Sequence, residues 1–141
     1  MHYEGETILD ALPVLRRSVL PLVIDHCGRP DASRGLDQPG FRAMLDLGRE
    51  GSAVVKLSGA FRFARFPYWD ADPFVTALID AFTLERCVWG SDWPFLRAKE
   101  RVDHAGLLAA LERWIPSPAD RQKVLADNPA RLFGFKPAER T

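Results

Sequence analysis

The sequence predicts an α/β fold built from parallel βα units. Three short apolar runs, each closed by Gly, Ser, Asp or Pro, are typical of buried strands. They are residues 19–28 (VLPLVIDHCG), 52–60 (SAVVKLSGA) and 86–94 (RCVWGSDWP). The strand centres are about 33 residues apart, and one helical pattern lies between each pair. This arrangement predicts parallel strands joined by crossover helices.

Helical patterns lie between and after the predicted strands. Residues 37–51 and 70–82 each begin with Asp, carry a Pro near the first turn and place apolar residues at helical spacing. Residues 101–114 and 117–135 predict two or three further helices, the second region opening on a Ser-Pro pair. The chain is therefore expected to end in helices that follow the last strand.

The last helical pattern contains the stretch NPARLFGF, residues 128–135. Its Asn-Pro pair is a helix-start signal. We expect Leu132, Phe133 and Phe135 to pack inward and close the core. This motif is thus interpreted as structural.

Composition narrows the class of protein. The 141 residues, 47% hydrophobic and 27% charged, are enough for one globular unit, so a single domain over residues 1–141 is expected. Lys plus Arg and Asp plus Glu both number 19, and this balance predicts no nucleic-acid partner.

No apolar run approaches the roughly 20 residues of a membrane span, and no signal pattern opens the chain. Cys27 and Cys87 lack CxxC spacing. We therefore expect a cytoplasmic protein with no membrane partner.

Polar residues follow each predicted strand. In parallel α/β proteins the carboxyl ends of the strands meet at one edge, where functional groups collect. The residues at these ends are Asp25, His26 and Arg29 for the first strand, Lys56, Ser58 and Arg62 for the second, and Ser91, Asp92 and Trp93 for the third. They include a candidate base and cations that can bind carboxylate. We expect His26, Arg62 and Asp92 to converge on one face.

Four motifs occur in the same order and at similar spacing as in the amidohydrolase-related TIM-barrel hydrolases: VIDHCGRPD, VVKLSGAFR, VWGSDWPF and VLADNPARLFGF. The chain resembles most closely the branch that includes 2-pyrone-4,6-dicarboxylate lactonase and sugar lactonases. The resemblance covers nearly the whole chain but only the carboxyl-terminal half of the family. It therefore implies part of a (β/α)8 barrel, incomplete in this chain, without the family's first-strand His-x-His pair.

The resemblance also implies a site. His26 would be the active-site histidine, and Asp92 the carboxylate that takes a proton from the hydrolytic water. Arg29 and Arg62 would bind substrate carboxylates through paired hydrogen bonds, and Tyr3 falls near a substrate-contacting tyrosine. The implied reaction is hydrolysis of a small carboxylated lactone, or of a related C–O or C–N bond, with hydrogen bonds stabilising the oxyanion.

Each of these residues also has a structural alternative. His26 could end its strand and bind backbone, and Asp92 could cap a turn. Arg29 and Arg62 could be solvated charges or salt-bridge partners. Cys27 is expected to be packed rather than nucleophilic.

Cofactor and partner expectations follow from the same residues. A hydrolytic zinc site needs about three protein ligands, and the sequence offers His26 and Asp92, so no metal is predicted, although related decarboxylases and amidohydrolases bind divalent ions. Two alternative functions stay open. One is a truncated half-barrel without activity of its own, which self-associates or needs a missing amino-terminal half. The other is a metal-dependent decarboxylase of the same superfamily.

Overall fold

The computed structural model describes residues 5–135. Its sheet contains three parallel strands in the order β1 (Val23–Ile24), β2 (Val54–Ser58) and β3 (Cys87–Gly90). The predicted parallel arrangement is confirmed. The strands are shorter than the apolar runs that predicted them, because the ends of those runs belong to loops. Val19 and Leu20, for example, open the first run and are exposed.

The described residues also form several helices. They are α1 (Ile8–Leu15), α2 (Pro39–Arg49), α3 (Asp72–Phe82), α4 (His104–Trp114), α5 (Pro118–Gln122) and α6 (Asn128–Phe133), with a π-helical segment over Lys123–Asp127. Helices α2 and α3 connect successive strands, so the two predicted βα crossovers are confirmed. Helix α1 was not predicted, and it contains Pro13, which removes an interior hydrogen-bond donor. No helix in the described part of the chain is long and apolar enough to cross a membrane.

One face of the sheet packs against α2 and α3. The buried cluster there joins Ile24, Val55, Leu57 and Cys87 of the strands to Met44, Leu47, Leu78 and Phe82 of the helices. Because side chains alternate along a strand, Lys56 and Ser58 lie on the opposite face, here called the site face. A Cβ on Gly90 would lie 3.6 Å from Lys56 Cδ and 4.0 Å from Ser58 Cβ, so Gly90 shares that face.

Asn128 anchors the last helix. Its Nδ2 donates to the carbonyl oxygens of Leu84 at 2.7 Å and of Cys87 at 2.8 Å, which ties α6 to the start of β3. Phe133 and Phe135 are 54% and 63% exposed. The prediction that these two residues close the core is wrong, because an apolar pattern does not show whether a neighbouring element covers that side of the helix. Leu132, the third residue of the prediction, is half-buried.

Candidate active site

The loops after the three strands bring His26, Arg62 and Asp92 together. Arg62 Nε donates to Asp92 Oδ2 at 2.5 Å, and His26 Nδ1 lies 3.6 Å from the same oxygen. The three side chains are largely buried, with 10%, 13% and 15% of their surfaces exposed for His26, Arg62 and Asp92. His26, Arg62 and Asp92 therefore converge on one face, as the order of the strands predicts.

A left-handed turn carries the histidine. The backbone φ angles of His26, Cys27, Gly28 and Arg29 are 52°, 55°, 71° and 47°. Each non-glycine residue in this region costs about 1–2 kcal/mol, so such a run persists only where surrounding contacts hold it. The N–H groups of Gly28 and Arg29 donate to the carbonyls of Asp25 and His26, both at 2.9 Å. Backbone strain of this kind collects at functional sites.

The end of β2 supports the imidazole ring. The buried Ser58 places its Oγ 3.0 Å from His26 Nδ1. Gly59 has a φ of 63°, and a Cβ on it would lie 3.0 Å from His26 Nδ1 and 3.2 Å from Arg62 Cδ. The strand-end pattern places Ser58 at the end of β2 without a role and does not indicate Gly59. A Ser-Gly pair directly after an apolar strand is the signal that could have indicated both.

We expect Gly59→Ala to lower the free energy of unfolding by about 1–2 kcal/mol from backbone strain alone, and by more because the methyl group presses on the His26 ring. Gly134→Ala is the matched control, since Gly134 also has a positive φ, 71°, but nothing within 4 Å of a Cβ. Urea unfolding of both variants measures the difference. Equal destabilisation would show that the close approach to His26 is unimportant.

The turn after β3 places Asp92 beside Arg62. Asp92 has a φ of 64°, and its carbonyl accepts from the N–H of Phe95 at 2.9 Å. Ser91 Oγ accepts from the N–H of Trp93 at 3.3 Å, and Trp93 is 70% exposed. Asp92 is thus the strand-end residue of this loop that contacts Arg62, while Ser91 and Trp93 shape the turn.

Arg29 and Arg62 line the same recess. It has a volume of about 260 Å³ and is lined by Gly5, Arg29, Pro30, Asp31, Arg34, Gln38, Arg62 and Phe63. Gln38 is buried and holds the loop by donating to the carbonyls of Asp31 at 2.9 Å and Gly35 at 2.6 Å. Three arginines line this wall with Asp31, and two of them pair with carboxylates, Arg34 with Glu6 at 3.0 Å and Arg62 with Asp92. Each guanidinium has five N–H donors, so the wall can still donate hydrogen bonds to an anion. Tyr3, the other predicted substrate contact, lies outside the described residues.

Arg62 also borders a second recess. This space of about 280 Å³ is lined by residues 61–66, 68 and 98–102. Its wall includes Arg65, Lys99 and Arg101, all exposed. Arg62 therefore stands between two openings on the surface, and only the first of them includes Arg29.

Burial is the largest influence on the charge of the histidine. It lowers the pKa of His26 from 6.5 to about 4. The Asp92 carboxylate opposes this effect, whereas the cations Lys56 and Arg62 add to it. The imidazole is therefore neutral at pH 7. Burial also raises the pKa of Cys27 to about 12, which keeps that thiol protonated, as the packing role predicts.

This pKa predicts that stability falls with acid. The unfolded chain binds a proton at His26 near pH 6.5, whereas the folded chain resists it down to about pH 4. The free energy of unfolding should therefore fall as the pH drops between these values, with a slope of up to about 1.4 kcal/mol per pH unit. Urea unfolding at each pH tests this. His26→Gln should flatten that slope, and the same slope in His26→Gln as in the parent would exclude His26 as its source.

The described residues do not fit a metal centre by themselves. Within residues 5–135, no three His, Cys, Asp or Glu side chains are grouped so that they could hold an ion. His26 Nδ1 faces Ser58, and Asp92 Oδ2 accepts from Arg62. A zinc site needs about three protein ligands, so the described residues alone would not hold one.

Comparison with known proteins gives the family. Residues 1–135 match the amidohydrolase family. The chain is 36% identical over 139 residues to 4-sulfomuconolactone hydrolase from Rhizobium radiobacter, which covers 95% of this chain and 46% of that protein. It is 32% identical over 146 residues to D-galactarolactone isomerase from Agrobacterium fabrum, which covers 100% of this chain and 50% of that protein.

Solved structures of the same family are also similar to this chain. A Pseudomonas putida protein, provisionally assigned as a 2-pyrone-4,6-dicarboxylic acid hydrolase, is 37% identical with a TM-score of 0.84, over 96% of this chain and 51% of that one. A Burkholderia multivorans amidohydrolase solved with bound zinc has the same fold, at 24% identity and a TM-score of 0.77, over 94% of this chain and 51% of that one. The chain thus spans about half the length of the relatives it matches. It belongs to the amidohydrolase family of enzymes, and its three parallel strands form part of that family's TIM barrel.

Proposed function

We propose that residues 1–141 are one domain, the carboxyl-terminal portion of a barrel that hydrolyses a small, carboxylate-bearing lactone. The observation that carries this proposal is the meeting of His26, Arg62 and Asp92 at three neighbouring strand ends, beside a recess lined by arginines. The names of two relatives support the substrate class, since both 4-sulfomuconolactone and 2-pyrone-4,6-dicarboxylic acid are anionic lactones.

Asp92 is the proposed general base. Its carboxylate takes a proton from water as the water oxygen bonds to the lactone carbonyl carbon. When the tetrahedral intermediate collapses, the bond from that carbon to the ring oxygen breaks, and the ring oxygen receives the proton from Asp92. The products are a hydroxyl group and a carboxylic acid on one opened molecule, and Asp92 returns to its ionised form.

His26 is the proposed oxyanion partner. Its imidazole is neutral at pH 7, so it offers one N–H as a hydrogen-bond donor. In this proposal the Ser58 hydroxyl donates to Nδ1, and the ring hydrogen is therefore on Nε2. An Nε2–H donor beside the reacting carbonyl stabilises the negative charge that develops on its oxygen.

Arg29 and Arg62 are proposed to bind the substrate carboxylate. Arg62 reaches Asp92 through Nε, so the edge formed by its two terminal nitrogens is the one that fits a carboxylate with two parallel hydrogen bonds. Arg29 lines the same recess and adds a second guanidinium. Tyr3 is proposed as a further substrate contact on the strength of the resemblance.

A chimeric barrel tests the function. It joins the amino-terminal half of the Pseudomonas putida relative to residues 1–141 of this chain, and is referred to below as the chimera. We expect it to hydrolyse 2-pyrone-4,6-dicarboxylate, and to do so after treatment with a chelator, because the proposed mechanism uses no metal. A folded, monodisperse chimera that opens no carboxylated lactone would refute the proposal.

Two smaller proposals accompany this one. Within residues 5–135, β1 and β3 each pair with one neighbouring strand, and exposed edges invite pairing. We propose that the chain alone associates with itself, which light scattering would show as a mass above that of a monomer.

The buried thiols of Cys27 and Cys87 favour a reducing, cytoplasmic location, which cell fractionation would test.

A further inference from the structure

Lys56 and Asp25 form an ion pair on the site face of the sheet. Lys56 Nζ lies 2.5 Å from Asp25 Oδ1, and the side chains are 32% and 26% exposed. Lys56 lies on β2 two residues before Ser58, which contacts the ring of His26. Asp25 directly precedes His26 and accepts the first hydrogen bond of the left-handed turn. The pair therefore adjoins His26 both through the turn and through β2.

The groups whose charges act on His26 come from all three strand ends. They are Asp25, Lys56, Arg62 and Asp92, two anions and two cations. Arg62 directly contacts Asp92, and Lys56 directly contacts Asp25. Each carboxylate near the imidazole thus has its own cation, and the four charges sum to zero.

Asp25 is ionised in this pair. Burial is the largest single influence and raises the pKa of its carboxyl, but the hydrogen bond and the charge of Lys56, together with the charges of the amino terminus and His26, lower the pKa overall. If Lys56 lost its charge, two carboxylates and one cation would remain among the four charged groups that act on His26. An unbalanced negative charge favours the protonated imidazole. The proposed mechanism needs the neutral ring.

We propose that Lys56 is a positioning residue: by balancing the charge of Asp25 it adds to the effect of burial and disfavours protonation of the His26 imidazole. Its importance for catalysis rests on the proposed function, but the charge on His26 can be measured without turnover. Failure of the chimera to hydrolyse a lactone would leave this proposal standing, and failure of the titration described below would leave hydrolysis standing.

A purely structural role makes a different prediction. If the ion pair only held the left-handed turn, the loss of either partner would loosen the turn and admit water to the ring. The pKa of His26 would then rise toward its usual 6.5 in Lys56→Met and in Asp25→Asn alike. A charge-balancing role predicts opposite effects, because one change removes a cation and the other removes an anion.

The experiment is an NMR titration of the histidine rings in the full 141-residue chain. The chain has three histidines, and His26→Gln identifies the signal of His26. Lys56→Met should raise the titration midpoint of His26 above that of the parent, whereas Asp25→Asn should leave it as low or lower. Lys56→Arg keeps the charge and should titrate like the parent.

An unchanged midpoint in Lys56→Met, or a rise in both Lys56→Met and Asp25→Asn, would overturn the proposal. If Lys56→Met does not fold, the double variant with Asp25→Asn, which leaves no unpaired charge, replaces it. Because both charges are then absent, its midpoint should stay near that of the parent. A clear upward shift in the double variant would show that the pair acts by holding the turn.

Discussion

Asp92→Asn should lower the rate of lactone hydrolysis by the chimera by about 10²–10⁴-fold, the usual contribution of a general base. The amide has the shape of the carboxylate and can still accept a hydrogen bond from Arg62 through its oxygen. It cannot take a proton from water. The loss should therefore appear in kcat, with KM little changed. Steady-state kinetics on a carboxylated lactone measure both constants.

Asp70→Asn is the matched control for this variant, since Asp70 is exposed and lies in the loop before α3. It should behave like the parent chimera. An Asp92→Asn chimera with a kcat within a few-fold of the parent would exclude Asp92 as the base, and would leave its pairing with Arg62 as a structural contact.

Arg62→Lys should raise KM for a carboxylated lactone by about 10-fold to 100-fold, because lysine keeps the charge but cannot make two parallel hydrogen bonds. Arg62 also contacts Asp92, so some loss of kcat is expected. A lactone without a carboxylate separates the effect on KM from the effect on kcat. With this substrate, Arg62→Lys should no longer raise KM but should still lower kcat. Arg29→Lys should change KM in the same direction.

Arg65→Lys is the control for the position of the anion. Arg65 lies three residues from Arg62 and lines the second recess, which does not include Arg29. If Arg65→Lys raised KM more than Arg62→Lys, the carboxylate would bind in the second recess. Unchanged KM values in both Arg29→Lys and Arg62→Lys would exclude the proposed carboxylate site altogether.

The sequence predicted the features that depend on periodicity and strand order. Apolar runs at regular spacing indicated three parallel strands, and parallel strands end at one edge of a sheet. Strand order alone therefore predicts that His26, Arg62 and Asp92 lie close together, even though it does not predict their side-chain contacts. The Asn-Pro pair likewise indicated the start of α6, which begins at Asn128.

Other features depend on tertiary contacts that no local pattern reports. The sequence around His26 does not indicate a left-handed backbone at that residue. Non-glycine residues adopt this conformation only when tertiary contacts stabilise it. The bond from Arg62 to Asp92 joins residues 30 positions apart. It means that Arg62 contacts the proposed base as well as lining the recess, a double role that the strand-end rule cannot predict.

The most direct measurement is a crystal structure of the Asp92→Asn chimera with intact 2-pyrone-4,6-dicarboxylate bound. We expect the lactone carbonyl to lie beside residue 92 and His26, and one carboxylate to make paired hydrogen bonds to Arg62 or Arg29. A lactone bound in the recess lined by residues 61–66 and 98–102, with no contact to His26 or residue 92, would contradict it.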